Sequence, residues 1–394
     1  MKRLFTTYIP HSLAIMAIIA GICYLVNTLR YSSAFLDPVG QTLSNFTMTD
    51  SYFQIENTNA DEVADVNMDI VLYDLSGCYS RAEIAAGIQA MHDAGARCIA
   101  LDCIFGPNNS DTLANDSLTR VVSRCKNVIA ACRMVPNYDN FIKEESFFVK
   151  ATGCVEACVN VQNETIRNFY KTLEFGDTTL STFVHEIVKM SYPETYEMWE
   201  KRAGNEELIH YKQTFFNKIH IYDEFFEEDF KDKVVLVGDF QDLRDFHDIP
   251  IAVNGARRIC GTTIHGYAIA TLTTPGRLIT LMPERSALWL GILYTLLYCI
   301  IYCFINEKYN DVSGFLSTSL QIFMMLALVF FGGYLFLEKQ YNLSLAYALV
   351  GTGLAAYAAE IFYYVLFKIQ KIRAKKNPGE KTFEQQIVEY TENR

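Results

Sequence analysis

Four apolar runs of membrane-spanning length, set out as one and then three around a long polar stretch, limit this chain more than any other feature. They cover Ile9–Leu29 and, approximately, Ser286–Ile305, Leu316–Leu337 and Ser344–Phe367. Each is close to the ~20 apolar residues a helix needs to cross the hydrocarbon core. The reading is an integral membrane protein in a lipid bilayer, with one large polar region on one side. Its expected organisation is an N-terminal transmembrane anchor over 1–30, a linker over 31–66, an α/β domain over 67–284, three transmembrane helices over 285–368 and a short tail over 369–394.

Basic residues set the orientation. Lys2 and Arg3 precede the first run, and Lys368, Lys371, Arg373, Lys375 and Lys376 follow the last. Lys308 is balanced by Glu307 and Asp311 in the 306–315 loop, which therefore favours neither side. The excess of lysine and arginine on cytoplasmic segments puts both termini in the cytoplasm and residues 31–284 outside it. The first run is longer than the core of a signal peptide and has no small-x-small cleavage site after it, so it reads as a retained anchor. The short tail leaves no room for a catalytic domain behind the last span.

The charge is as uneven as the hydropathy. Residues 1–30 carry +3 and 285–394 carry +2, so residues 31–284 hold −16 against a total of −11. A surface of that sign repels nucleic acid and anionic headgroups, and nucleic-acid partners are excluded. Of the eleven cysteines, eight lie in the polar region, where an oxidising compartment permits disulfides and 105 pairings are open. Cys98 and Cys132 sit in strand-like runs and read equally well as buried thiols.

The polar region alternates strand and helix signals. Met68–Asp74, Arg97–Cys103, Asn127–Cys132 and Lys233–Gly238 are continuous apolar runs of the kind that form buried parallel strands. Ser80 with Glu83 starts a helix whose Ile84, Ile88 and Met91 share a face, and Gly95 ends it. Asp116 is the expected cap of a second helix carrying Leu118, Val121 and Val122. Ala157–Val161 and Ile166–Leu173 read as a hairpin, Thr179–Met190 as a helix, Leu208–Tyr211 and Ile219–Tyr222 as strands, Asp239–Ile251 as a loop, and Thr263–Leu272 as a helix. The fold class is α/β, a mixed and mostly parallel sheet with helices on both faces, joined to four transmembrane helices.

Ligands of such sheets bind beyond the carboxyl ends of the strands. Asp74, Asp102 and Asp239 all stand at such ends, and Asp245, His247 and His265 can join them from the last loop and helix. Carboxylates with imidazoles suit a polar ligand or a divalent cation; the alternative is scaffold, since strand-end aspartates also cap helices and accept loop amides. No cofactor is expected beyond that metal alternative. The chain lacks G-x-G-x-x-G, G-x-x-x-x-G-K and G-x-S-x-G, so the usual nucleotide and serine-hydrolase signals are missing.

Within the spans, Ala17 and Gly21, and Gly351, Ala355 and Ala359, recur every four residues. Small residues at that spacing let helix backbones approach closely, either between the first and last spans or in a homodimer. Beyond Asn377-Pro378-Gly379, the tail residues Phe383, Ile387 and Tyr390 share one face of a short helix that could dock on a partner protein.

Three stretches, residues 69–106 with 116–132, 158–190 and 230–274, resemble the type-two CHASE domain, a sensory extracellular family associated with cyclases and histidine kinases. The most specific is FKDKVVLVGDFQDLRDFHDIPIAVNGARRICGTTIHGYAIATLTT, with its Asp-x-His loop and Gly-x-x-x-His helix matched by Asp245, His247, Pro250, Gly261 and His265. The tryptophan-proline-rich segment usual before Arg81 is replaced by GCYS. The resemblance implies an extracytoplasmic sensor in a bacterial inner (plasma) membrane. Its usual cytoplasmic output domain is not found here, so signalling would pass through spans or tail to a separate effector. The expectation is a sensor rather than an enzyme, with an envelope assembly component as the alternative and a metal-dependent hydrolase a more distant one.

Overall fold

The computed structural model describes residues 3–32, 48–59, 65–106, 111–138, 140–161, 164–309 and 313–376. It divides into two compact units, Met1–Thr42 with Leu281–Arg394, and Leu43–Thr280. The tail residues Phe383, Ile387 and Tyr390 lie outside the described residues.

The first unit is helical. Leu4–Val26, Glu284–Lys308, Ser313–Lys339 and Ala346–Arg373 are long and apolar enough to cross a membrane. Ala355, Ala358 and Ala359 of the fourth span are buried against Ile15 and Ile19 of the first and against Tyr298, Cys299 and Cys303 of the second. The second and fourth spans also approach through glycine: a Cβ at Gly291 would stand 2.5 Å from the Cβ of Tyr347, and one at Gly351 only 2.2 Å from the Thr295 hydroxyl. Small residues thus bring the fourth span onto its neighbours. The first span behaves differently. Ala17 and Gly21 are exposed, and a Cβ at Gly21 would meet nothing within 4 Å. Ile15 and Ile19 take the contact instead, because bulky side chains on one helix fill the space that small ones leave on the other.

The second unit is α/β. Its strands are β1 (Asp65–Asp74), β2 (Cys98–Leu101), β3 (Val128–Asn137), β4 (Asn140–Glu145), β5 (Val155–Cys158), β6 (Asn168–Tyr170), β7 (Thr172–Phe175), β8 (Thr178–Ser181), β9 (Glu206–Leu208), β10 (Thr214–His220), β11 (Val234–Gly238), β12 (Phe246–Val253) and β13 (Ala256–Cys260). Its principal helices are α1 (Met48–Asn59), α2 (Arg81–Asp93), α3 (Thr112–Arg124), α4 (Val149–Thr152), α5 (Phe183–Ser191), α6 (Pro193–Glu200), α7 (Glu227–Phe230) and α8 (Gly261–Thr273). The central sheet runs β10-β1-β11-β2-β3-β4, with β5 also paired to β3. Every pair is parallel except β3–β4.

Alternation along the strands explains the layers. Val71, Tyr73, Ile99, Leu101, Val235 and Val237 share a cluster with Ile84, Ile88 and Met91 of α2 and Leu118 and Val122 of α3. The intervening residues Ile70, Leu72, Cys98, Ala100, Val234 and Leu236 are also buried but point the other way, where Gly266 of α8 lies against Leu236. Strands buried on both faces read as unbroken apolar runs, and these do. Ser80 accepts the Glu83 amide at the start of α2, and Gly95 follows its end at φ +83°.

Several expectations are corrected. The linker contains a helix, α1, whose Asp50 is held by Arg167 (Nη2–Oδ2 2.7 Å) and whose Phe53 is fully buried. The second helix is capped by Asp111, which accepts the Ala114 amide; Asp116 lies inside it. Among the described residues, the hairpin expected over 157–173 does not form. Val155–Cys158 joins β3 in parallel, Asn168–Tyr170 pairs with β9, and the hairpin is β7–β8, so apolar alternation located strands there but not their partners. Part of the supposed loop Asp239–Ile251 is β12, paired antiparallel with β13. The described cysteines stand as free thiols, and Cys132 and Cys158 are register neighbours on β3 and β5.

Candidate functional site

Three adjacent strands, β1, β11 and β2, each deliver an aspartate to the carboxyl edge of the sheet. Gly238 ends β11 without a side chain, and a Cβ there would stand 2.2 Å from the Thr262 hydroxyl. Thr262, in the first turn of α8, is thereby seated on the edge. Its hydroxyl donates to Asp102 Oδ2 at 2.8 Å. The preceding residue, Gly261, is used in the same way. Its amide donates to Asp245 Oδ2 at 3.0 Å, in a space that a Cβ would invade at 2.6 Å from Oδ1.

The edge resolves into two neighbouring networks. In the first, Asp74 is buried and accepts the Ser76 amide at 2.8 Å, the Ser76 hydroxyl and the Phe240 amide at 3.4 Å, and pairs with Lys218 Nζ at 2.8 Å. Burial opposes its ionisation, but Lys218 and Ser76 outweigh that and hold the carboxyl below its usual range. Ser76 also donates to the exposed Asp239 (3.1 Å), and its carbonyl lies 2.9 Å from His220 Nε2. So many donors make Asp74 a latch between the loops after β1 and β11.

The second network gathers Asp102, Asp245, His247, Cys260, Thr262 and His265. Burial pushes the Asp102 carboxyl up, with Asp245 adding to the rise and His265 and His247 opposing it. Burial would raise Asp245 as well, but His247, Cys260 and His265 hold it below its usual range. Cys260 Sγ donates to Asp245 Oδ2 at 3.1 Å, and His247 Nε2 lies 3.6 Å from Oδ1. Burial, reinforced by Asp245, pushes the Cys260 thiol far up, so it stays a protonated donor. Gly261, Thr262 and His265 share one face of α8 through their three- and four-residue spacing. His265 itself is buried, edge-on to Phe183 at 5.1 Å between ring centroids.

All six sequence candidates therefore lie in or beside the carboxyl edge, divided between the two networks. Among the described residues, no group of three or more histidine, cysteine, aspartate or glutamate side chains is placed to hold a metal ion. Sequence reasoning missed Ser76, Lys218, Cys260 and Thr262. Ser76 could have been found from its position two residues after a strand-end aspartate, and Thr262 from its place after Gly261. Nothing local marks Lys218, which reaches Asp74 through the pairing of β10 with β1.

Beside the second network is a small cavity of about 30 Å³, room for about two waters, whose lining includes Phe169, Leu173, Thr182, Val184 and His265.

No curated protein and no solved structure matches this chain. The family model of the CHASE2 domain matches residues 21–301, spanning the α/β unit and reaching into the flanking spans. The Asp245–His247 loop, the Gly261–His265 turn and the apolar helices around them thus fall within a single family pattern, and the chain belongs to the CHASE2 family of sensory extracellular domains.

Proposed function

We propose that the protein is a multi-pass membrane sensor whose extracytoplasmic α/β unit binds a ligand at the carboxyl edge of its sheet. Binding shifts the packing of the spans, and a separate effector protein reads the shift. Family membership and four apolar helices support the coarse reading. The observation that carries the finer one is the convergence of Asp102, Asp245, Thr262 and His265 at the start of α8, on the only kind of sheet edge where such folds take ligands.

The orientation in this reading follows the basic residues at both termini, which belong in the cytoplasm of an inner (plasma) membrane. The α/β unit is joined in sequence to the first span on one side and the second on the other, so a change within it can load both. The site is read as binding rather than catalytic, because its thiol is held protonated and its carboxylates are occupied by hydroxyl, amide and ammonium donors. A ligand can shift the spans only through different affinities for two arrangements.

The test uses the full-length protein in lipid nanodiscs, spin-labelled on the first and fourth spans. Asp245→Asn, which weakens the clasp on α8, is expected to shift the inter-span distance distribution relative to wild type. Distributions that stay superimposable for this variant and for His247→Gln would sink the proposed transmission.

A further inference from the structure

We infer that Cys132 and Cys158 are a disulfide site: outside the cytoplasm the two thiols are joined while the chain folds, which ties β5 to β3. The inference rests on the extracytoplasmic placement proposed above, which supplies the oxidising surroundings, and not on ligand binding.

Register makes the choice among the cysteines of the α/β unit. Cys98 stands opposite Val234 and Cys260 opposite Phe246, whereas Cys132 on β3 stands opposite Cys158 on β5. Neighbouring strands lie about 4.8 Å apart, inside the roughly 4.4–6.8 Å between Cα atoms that a disulfide spans. Opposite residues of parallel strands send their side chains to the same face, and these two pack in one cluster with Leu173. Hydrogen bonds beyond the pair hold the register. The Val159 amide donates to the Cys132 carbonyl at 2.9 Å. The Asn160 side chain donates to the Met134 carbonyl at 2.9 Å and accepts the Met134 amide at 2.7 Å.

The joining step is thiol–disulfide exchange with a disulfide-bearing oxidant. The thiolate of one cysteine attacks the oxidant's disulfide, which breaks that S–S bond, forms a mixed disulfide and releases one oxidant thiolate. The second cysteine, deprotonated in turn, attacks the first cysteine's sulfur. The Cys132–Cys158 bond forms, and the oxidant leaves as a dithiol with the two electrons and two protons that the cysteines gave up.

The finished fold suppresses the attacking species. Burial, with Glu156 and Cys158 adding to it, pushes the Cys132 thiol up to about 12, and burial raises the Cys158 thiol as well. The two residues are only 2 % and 1 % exposed. Exchange therefore belongs to the stage at which β5 is pairing with β3 and both are still open to solvent. The same burial then keeps reductants from the bond. The closed loop holds β4 and α4, and Cys158 and Asn160 line the cavity beside α8, so the bond also fixes one wall of that cavity.

The test takes full-length protein, extracted in detergent with its thiols blocked by N-ethylmaleimide and digested without reduction by trypsin and a glutamyl endopeptidase. Cleavage after Glu156 separates Cys154 from Cys158. Mass spectrometry is expected to find residues 127–133 joined to residues 157–164, and to lose that species on reduction. Thiol counts on the unfolded, unreduced chain give a second reading that needs no variant to fold. Cys132→Ser and Cys158→Ser should each show one thiol more than wild type, and the double variant the same number as wild type. One thiol fewer in each single variant, or either cysteine linked to a different one, would overturn the inference. Leu113→Cys keeps the two readings apart. Leu113 is 80 % exposed, so a maleimide that cannot cross the inner membrane labels its replacement above the wild-type level only if the α/β unit lies outside. Label with an unlinked pair overturns the disulfide and leaves the placement standing. Absence of label overturns the placement, and the disulfide falls with it. Label and linkage together support both.

Discussion

In the α/β unit, Gly238 admits the Thr262 hydroxyl to 2.2 Å from where a Cβ would stand; in the helical unit, Gly351 admits the Thr295 hydroxyl to the same distance. The consequences differ. Thr262 donates to Asp102, whereas the buried hydroxyl of Thr295 has no hydrogen-bond partner among the described residues. At the sheet edge, close approach serves a polar network that fixes the start of α8. Between the spans it serves contact between backbones, the main source of helix association where water supplies no hydrophobic drive. One glycine device therefore has two uses, set by the surrounding solvent and by what the admitted group can reach.

The comparison breaks most visibly at His210, a buried group of the α/β unit whose Nδ1 is unpartnered like Thr295. Burial, helped by Arg277 and Lys212, pushes its pKa down to about 3 from the usual 6.5. The unfolded chain then binds a proton the folded one refuses, so stability is full above pH 6.5 and falls as pH drops toward 3. By pH 4 the loss should be about 3 kcal/mol in urea unfolding, and His210→Leu should flatten that slope. An unchanged slope would remove His210 from the account.

Next in size are the glycines themselves. Gly238→Ala should cost about 3 kcal/mol by overpacking Thr262, again read by urea unfolding followed at Trp199. Adding Thr262→Ala should recover only some of this, since the bond to Asp102 goes with the clash. Gly351→Ala should cost about 2 kcal/mol in the helical unit, and Thr295→Ala should restore nearly all of it. Full recovery in both pairs, or in neither, would erase the distinction between the two units.

The smallest effects separate the two networks at the edge. Asp74, held below its usual range, stabilises the fold above pH 3.8, and that contribution is lost as pH falls through its lower folded value. Asp74→Asn should therefore cost about 1 kcal/mol at pH 7. Asp102 is raised, so its contribution declines as pH rises from 3.8 through the folded value, leaving a penalty above it. Asp102→Asn keeps an acceptor for Thr262 and should gain about 1 kcal/mol at pH 7. Thermal melts of the two variants that move the same way would merge the networks into one.

What could be read in advance was whatever rests on continuous patterns. The runs that become β1, β2 and β11 are apolar on both faces, and this marks them as central strands wherever they sit. Their terminal aspartates mark the carboxyl edge because the chain leaves the core there. Helix caps were less secure. Asp111 and Asp116 can each cap a helix, and only the turn actually adopted selects Asp111. The region 157–173 failed for a related reason, since alternation along a short strand fixes its faces and leaves its partner open.

The sequence by itself determined the four spans, the acidic polar unit between them, the α/β class and the residues of the carboxyl edge, because each follows from composition or local period along the chain. Only the tertiary structure decided that Asp74 is latched by Lys218, that Asp102 and Asp245 meet at the start of α8, that Ile15 and Ile19 rather than Ala17 and Gly21 face the fourth span, and that His265 opens into a pocket. Those contacts join residues tens to hundreds of positions apart. Register, helix rotation and the absence of a Cβ at Gly238 and Gly261 set them, and no local pattern in the chain encodes a distance.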